Sequence, residues 1–222
     1  MRPLIVANWK CNPITLAKAK LLFNSVKKGI KNVKNVEVVI CPPFIYIPYL
    51  LKPKTYHLNP KFGAQDCFWE EKGAYTGEVS PKMLKDLGVE YVIIGHSERR
   101  ALGETNEMIN KKIRAALKSG LKPILCIDKI SQIKKDLKTG VIVAYEPLFA
   151  IGTGKACSPE KAKKMKILIK KKVNCPALYG GSVNSQNAAD YIEKAGFDGL
   201  LVGGASLDPK EFIQIIKNVA KT

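Results

Sequence analysis

Glu146 ends a β-branched run, residues 141–143, and is followed by Pro147, an apolar tract over 148–151 and the glycines Gly152 and Gly154. A carboxylate in that setting can abstract a proton next to a carbonyl, provided it is desolvated and held in place. His96, just after the apolar run 91–94, can polarise the carbonyl. Lys10, just after 4–7, can stabilise the enediolate charge that then develops. Two glycine pairs, Gly180-Gly181-Ser182 and Gly203-Gly204-Ala205-Ser206, each follow a short apolar run and precede a helical pattern. Glycines so placed let backbone N–H groups approach an anion, and the helix dipole adds a favourable field. Gly152-Thr153-Gly154 could add a third arm. It is no Walker A loop, since Phe149 replaces the upstream glycine and Ala156 the required Ser/Thr.

Taken singly, each of these residues has an ordinary use. Lysines are mostly solvated, histidines mostly structural, glycines mostly turn formers, and a lone glutamate is most often an ion-pair partner. An acid, a histidine and a lysine sharing a face with a phosphate cradle describe something narrower: proton-transfer isomerisation of a small phosphorylated carbonyl compound. That chemistry needs no metal and no cofactor.

The elements that must bring these residues together alternate along the chain. Candidate strands are 4–7, 36–41, 62–65, 91–94, 123–127, 142–145, 177–179 and 199–202. Helical patterns run over 14–28, 81–87, 106–118, 159–172, 185–194 and 209–219. Strand–helix alternation implies a parallel sheet, and eight units favour a closed (β/α)8 TIM barrel over a doubly wound sheet. Such barrels gather function where strands end and loops begin, and their phosphate site lies after strands seven and eight. The 222 residues form one domain, 1–222, in this reading, near the lower limit of length for the fold. The connection after strand five is short, with room for about two helical turns over 131–138.

Composition narrows the class. Hydrophobic content of 46% and charged content of 25% fit an ordinary globular protein. Six cysteines without a CxxC pair and only two histidines argue against a zinc site and for reduced thiols in a cytoplasmic protein. No signal peptide is visible, and the uncharged tract 38–51 is too short and too broken by Pro42, Pro43 and Pro48 to cross a bilayer. A net charge of +18 suits either a polyanion partner or steering of a small anion. The lysines fall mostly on helix faces and form no arginine-rich or aromatic stripe, which speaks against nucleic acid.

"ANWK", "GAQD", "AYTGE", "GHSERR" with "GET", "AYEP", "AIGTGK", "YGGSV" and "VGGAS" occur in one order along residues 3 to 219, and this set closely resembles the triosephosphate isomerase family. The resemblance implies interconversion of dihydroxyacetone phosphate and D-glyceraldehyde 3-phosphate, a step of glycolysis and gluconeogenesis. It makes Glu146 the base and neutral His96 the electrophile, with a short helix starting near Ser97 lowering the imidazole's pKa. Lys10 and Asn8 would bind and polarise the substrate, with Glu98 in support. Gly152, Ser182, Gly203 and Gly204 would hold the phosphate. Residues 147–157 would be a lid, closed through Tyr179, Thr153 and Gly154. The family's dimer contact would use Thr76 towards the partner's Asn8 and Glu78 towards the partner's Arg99, with Cys11 beside them.

Two departures stand out. The family's Cys-x-Gly-Glu is here Cys126-Ile127-Asp128-Lys129, and its Pro-x-Trp is Pro147-Leu148-Phe149. In the family that tryptophan pairs with that glutamate when the lid is open, so both halves of the latch are missing together. The shortened connection after strand five exposes barrel flank, which is expected to turn polar, to be covered, or to extend a homodimer into a higher oligomer. Two other readings remain open: a non-catalytic basic barrel that binds polyanions, and another phosphate-binding barrel enzyme.

Overall fold

Strand β8 (Gly199–Val202) pairs in parallel with β1 (Leu4–Asn8), Leu4 against Gly199 and Ala7 against Val202, and closes an eight-stranded barrel. A Cβ at Gly199 would stand 2.0 Å from the Leu4 carbonyl oxygen, so the closure requires glycine there. The computed structural model describes residues 2–51, 60–134, 137, 139–150 and 156–222. Between the closing strands lie β2 (Glu37–Cys41), β3 (Lys61–Ala64), β4 (Tyr91–Ile94), β5 (Lys122–Ile127), β6 (Ile142–Tyr145) and β7 (Ala177–Tyr179). Each is hydrogen-bonded to its neighbours in sequence order.

Eight helices follow the strands among the described residues, two of them after β4 and none after β5: α1 (Leu16–Gly29), α2 (Ile47–Leu50), α3 (Pro81–Asp86), α4 (Ser97–Ala101), α5 (Asn106–Lys118), α6 (Pro159–Lys172), α7 (Ala188–Glu193) and α8 (Pro209–Val219). Side chains of Thr15, Ser80, Thr105, Ser158 and Asp208 accept first-turn N–H groups and set where helices start. Proline occupies the first turn of α3, α6 and α8, where its missing N–H costs nothing. In α8, Phe212, Ile215, Ile216 and Val219 are buried at helical spacing, which turns one stripe onto the barrel.

The expected helix over 185–194 begins only at Ala188. Asn184 Oδ1 accepts the N–H groups of Gln186 and Asn187, and this side-chain turn replaces a first helical turn. The room for about two turns over 131–138 holds no α-helix among its described residues, 131–134 and 137. The described part of the β5–β6 connection holds a 3-10 turn, Ile130–Gln132, because Gln132 Oε1 accepts the N–H groups of Asp128 and Lys129 and folds the chain back. Residues 135, 136 and 138 lie outside the described set. The barrel flank that this short connection uncovers is covered from within the chain: Ile133 is buried, and Ile130 and Leu137 pack on the same core.

Strand alternation then decides what faces the barrel axis. Leu4 and Val6 of β1, Val39 and Cys41 of β2, Tyr91 and Ile93 of β4, Ile142 and Ala144 of β6, Leu178 of β7 and Leu201 of β8 belong to one interior cluster. Their neighbours, such as Ile5, Ala7, Ile40, Val92 and Val143, pack outward against helices. Side chains alternate with a period of two, so the next inward positions are Asn8 at the end of β1 and Glu146, Gly180 and Gly203 just beyond β6, β7 and β8. The parity of the interior therefore delivers polar residues and glycines to the mouth.

Candidate active site

Those four residues line one cavity of about 280 Å³ at the C-terminal ends of the strands, together with Lys10, His96, Ser182 and Gly204. Among the described residues, the two non-glycine positions with left-handed backbone, Lys10 (φ 54°) and Ser182 (φ 51°), both line it. Such a conformation costs about 1–3 kcal/mol and persists only where surroundings impose it. At Lys10 they do. Asn8 Oδ1 accepts the Lys10 N–H at 3.0 Å, and Gln65 Nε2 donates to the Lys10 carbonyl at 2.8 Å and to that of Cys41 at 2.9 Å. The bent backbone presents Lys10 Nζ to Glu98 Oε1 at 2.5 Å.

His96 caps the N-terminus of α4. Its Nδ1 accepts the N–H of Glu98 at 3.2 Å, which leaves the ring proton of the neutral imidazole on Nε2. Nε2 points at Glu146 Oε1, 3.3 Å away. Burial opposes a charge on His96, but the Glu146 carboxylate and, behind it, Glu98 outweigh it and hold the imidazole above its ordinary pKa, not below it as the resemblance implies. Asn8, His96 and Glu146 are all buried. Glu146 is fixed by its N–H to the Ile127 carbonyl at 2.8 Å, and its Oε2 is buried with no hydrogen-bond partner among the described residues. An orphaned carboxylate oxygen costs about 1–3 kcal/mol, and this one belongs to a residue that lines the cavity.

Space around Glu146 is tight on one side. A Cβ on Gly180 would lie 2.8 Å from Glu146 Cγ. At Gly204 a Cβ would meet nothing within 4 Å, so packing does not demand that glycine. What its bareness does provide is backbone N–H access at the start of the 3-10 turn Gly204–Leu207.

Of the residues named from sequence, Asn8, Lys10, His96, Glu146, Ser182, Gly203 and Gly204 share the cavity, and Glu98 reaches it through Lys10. Tyr179 is buried behind it, and its hydroxyl accepts the Cys157 N–H at 3.0 Å. Ser182 Oγ donates to the Ala150 carbonyl. Gly152, Thr153 and Gly154 lie outside the described residues. Cys11, Thr76 and Glu78 are exposed away from these contacts. Arg99 is bound within its own chain, Nε to Asp66 Oδ2 at 2.7 Å and to Glu104 Oε1 at 3.5 Å.

Sequence reasoning passed over three side chains that shape the site. Gln65 grips the Lys10 backbone. Arg100 donates to the carbonyls of Gly95 at 2.7 Å and Cys126 at 3.2 Å, tying the ends of β4 and β5 beside His96. Tyr191 donates to the Cys157 carbonyl at 2.5 Å. Gln65 lay in view within "GAQD" and Arg100 within "GHSERR"; nothing local marks Tyr191.

The "Triosephosphate isomerase" family model matches residues 3–219. A triosephosphate isomerase of Dehalococcoides mccartyi is 42% identical over 99% of this chain and 98% of its own length. Those of Alkaliphilus oremlandii and Aquifex aeolicus are 42% and 41% identical, each over 97% of this chain and 98% and 99% of their own. The Dehalococcoides alignment spans 250 positions against 222 residues here, so that relative carries segments this chain lacks. The chain belongs to the triosephosphate isomerase family.

Proposed function

We propose that this member of the triosephosphate isomerase family interconverts dihydroxyacetone phosphate and D-glyceraldehyde 3-phosphate, with Glu146 as the base and His96 as the electrophile. The observation that carries the assignment of roles is the buried His96–Glu146 pair at 3.3 Å, in a cavity it shares with Lys10 and the bare backbone of Gly203 and Gly204. A substrate entering between the pair meets a carboxylate on one side and an N–H donor on the other. Glu146 removes the proton from the carbon next to the carbonyl, giving an enediolate over these two carbons, and returns it to the other of the two. His96 Nε2–H hydrogen-bonds the carbonyl oxygen as negative charge develops there, and the Lys10 ammonium stabilises that charge. Asn8 positions Lys10 and the substrate, and Glu98 holds the ammonium in place. N–H groups of Ser182, Gly203 and Gly204 receive the phosphate, with Gly152 as a further arm.

Residues 147–157 act as the lid, with Thr153 and Gly154 in its closing segment. Its described ends are already tied down, Ala150 to Ser182 and Cys157 to Tyr179. Leu148 and Phe149 are exposed on it, apolar surface suited to excluding water from an enediolate. Phe149 in place of the family's tryptophan, with Asp128 in place of its glutamate, leaves the open lid without that latch.

The chain works as one unit, 1–222, in the cytoplasm and as a homodimer. Ile14, Ile45, Tyr75 and Leu102 are large apolar side chains left exposed on loops and helix ends, which supports a partner surface. Thr76 and Glu78 would reach the partner across it, beside Cys11 and Arg99. Burial of Ile133, within the short β5–β6 connection, supports a plain dimer over a higher oligomer. Light scattering tests this, and a stable active monomer would contradict it. A coupled assay in both directions tests the activity. Turnover of both triose phosphates without added metal is expected, and no turnover of either would overturn it.

A further inference from the structure

Cys157 is the last residue before Ser158, the N-cap of α6, and is therefore where the lid joins rigid structure. Two tyrosines grip it. Its N–H donates to Tyr179 Oη at 3.0 Å, and its carbonyl accepts from Tyr191 Oη at 2.5 Å. The N–H belongs to the peptide before the Cys157 Cα and the carbonyl to the peptide after it, so the two bonds together fix both torsions of this one residue. The tyrosine rings stack at 3.7 Å with 16° between their planes, and both are buried. Their hydroxyls also interact. Beyond the effect of burial, Tyr191 raises the pKa of Tyr179 while Tyr179 lowers that of Tyr191, as when the Tyr179 hydroxyl donates to the Tyr191 oxygen.

We propose that Tyr191 is a positioning residue for catalysis: through its hydroxyl it locks the Cys157 torsions and so presents the Cys157 N–H to Tyr179 when the lid is shut. This rests on the reading of 147–157 as the lid. Opening that turns the chain at Cys157 must break both bonds, so the pair sets how firmly the lid shields the enediolate. An enediolate exposed to water is lost by a defined route. Its electron pair expels phosphate as the C–O bond breaks, and tautomerisation of the resulting enol gives methylglyoxal, with no net oxidation or reduction.

The test compares Tyr191→Phe, which keeps the stacked ring, with Tyr179→Phe and the unaltered enzyme. For each, kcat, KM and inorganic phosphate released per isomerisation are measured. The phosphate ratio is a per-turnover quantity, so partial unfolding of a variant does not alter it. Losing one hydrogen bond predicts a fall of roughly three- to tenfold in kcat/KM for Tyr191→Phe, with more phosphate released per turnover. If Tyr179→Phe raises the phosphate ratio and Tyr191→Phe leaves both quantities unchanged, the proposal for Tyr191 is wrong and the lid stands. If neither variant changes the ratio, the lid reading falls and the proposal with it.

Discussion

Glu146 Oε1 lies 3.3 Å from His96 Nε2 with both side chains buried, and Glu146 is the charged group that acts most on His96. The pair arises from two unrelated local rules. Strand parity points Glu146 inward, whereas His96 is placed by capping α4 with its own Nδ1 on the Glu98 N–H.

The contact has a pH signature. Desolvation alone would lower the imidazole's pKa, yet Glu146 raises it. A raised folded value means that this pair stabilises the fold fully below the unfolded histidine pKa, about 6.5, and that the contribution is lost as pH rises through the folded value. With only two histidines in the chain, NMR can follow His96 directly. In Glu146→Gln the His96 titration should move down, because burial is then opposed only by Glu98. An unmoved or higher value would contradict the pairing.

Glu98→Gln separates catalysis from stability. The Lys10–Glu98 pair is partly exposed, its side chains 28% and 53% accessible, so its loss should cost less than about 1 kcal/mol in denaturant unfolding. Lys10 Nζ would nonetheless lose its anchor, and kcat/KM should fall roughly tenfold. Unchanged kinetics would show that Glu98 does not position Lys10.

Lys112 makes the opposite case. It is 2% exposed and bridges Asp66 Oδ2 at 2.7 Å and the Glu104 carboxylate, with Arg99 on the same acids. Lys112→Met should leave two buried carboxylates under-compensated and destabilise by about 3–5 kcal/mol. Urea unfolding measures it, and a loss below about 1 kcal/mol would mean the acids do not depend on it.

Gly204→Ala tests the phosphate cradle without disturbing packing. A Cβ there meets no atom within 4 Å, so the unfolding temperature should not change. If the phosphate sits against that backbone, KM for either triose phosphate should rise severalfold. An unaltered KM would place the phosphate elsewhere.

Much of this was legible in the chain. β-branched runs and capping residues gave the barrel rhythm, since they act within a few positions and survive in any tertiary context. The step from Ala144 to Glu146 placed the base at the mouth by parity alone. Tyr191 was not legible, because its bond to Cys157 joins residues 34 apart and depends on α7 packing over α6. Gln65 acts across 55 residues on a backbone carbonyl that no pattern marks. The β5–β6 connection failed differently. Its length leaves room for about two helical turns, but the described start, Ile130–Gln132, is a 3-10 turn in which Gln132 accepts the N–H groups of Asp128 and Lys129.

Turnover of Glu146→Asp, measured in the coupled isomerase assay beside circular dichroism of the same sample, bears most directly on the central claim. Shortening the side chain by one methylene withdraws the carboxylate by about 1 Å, and a displaced base should cost on the order of a hundredfold in kcat with the fold intact. Turnover equal to that of the unaltered enzyme would remove Glu146 as the base.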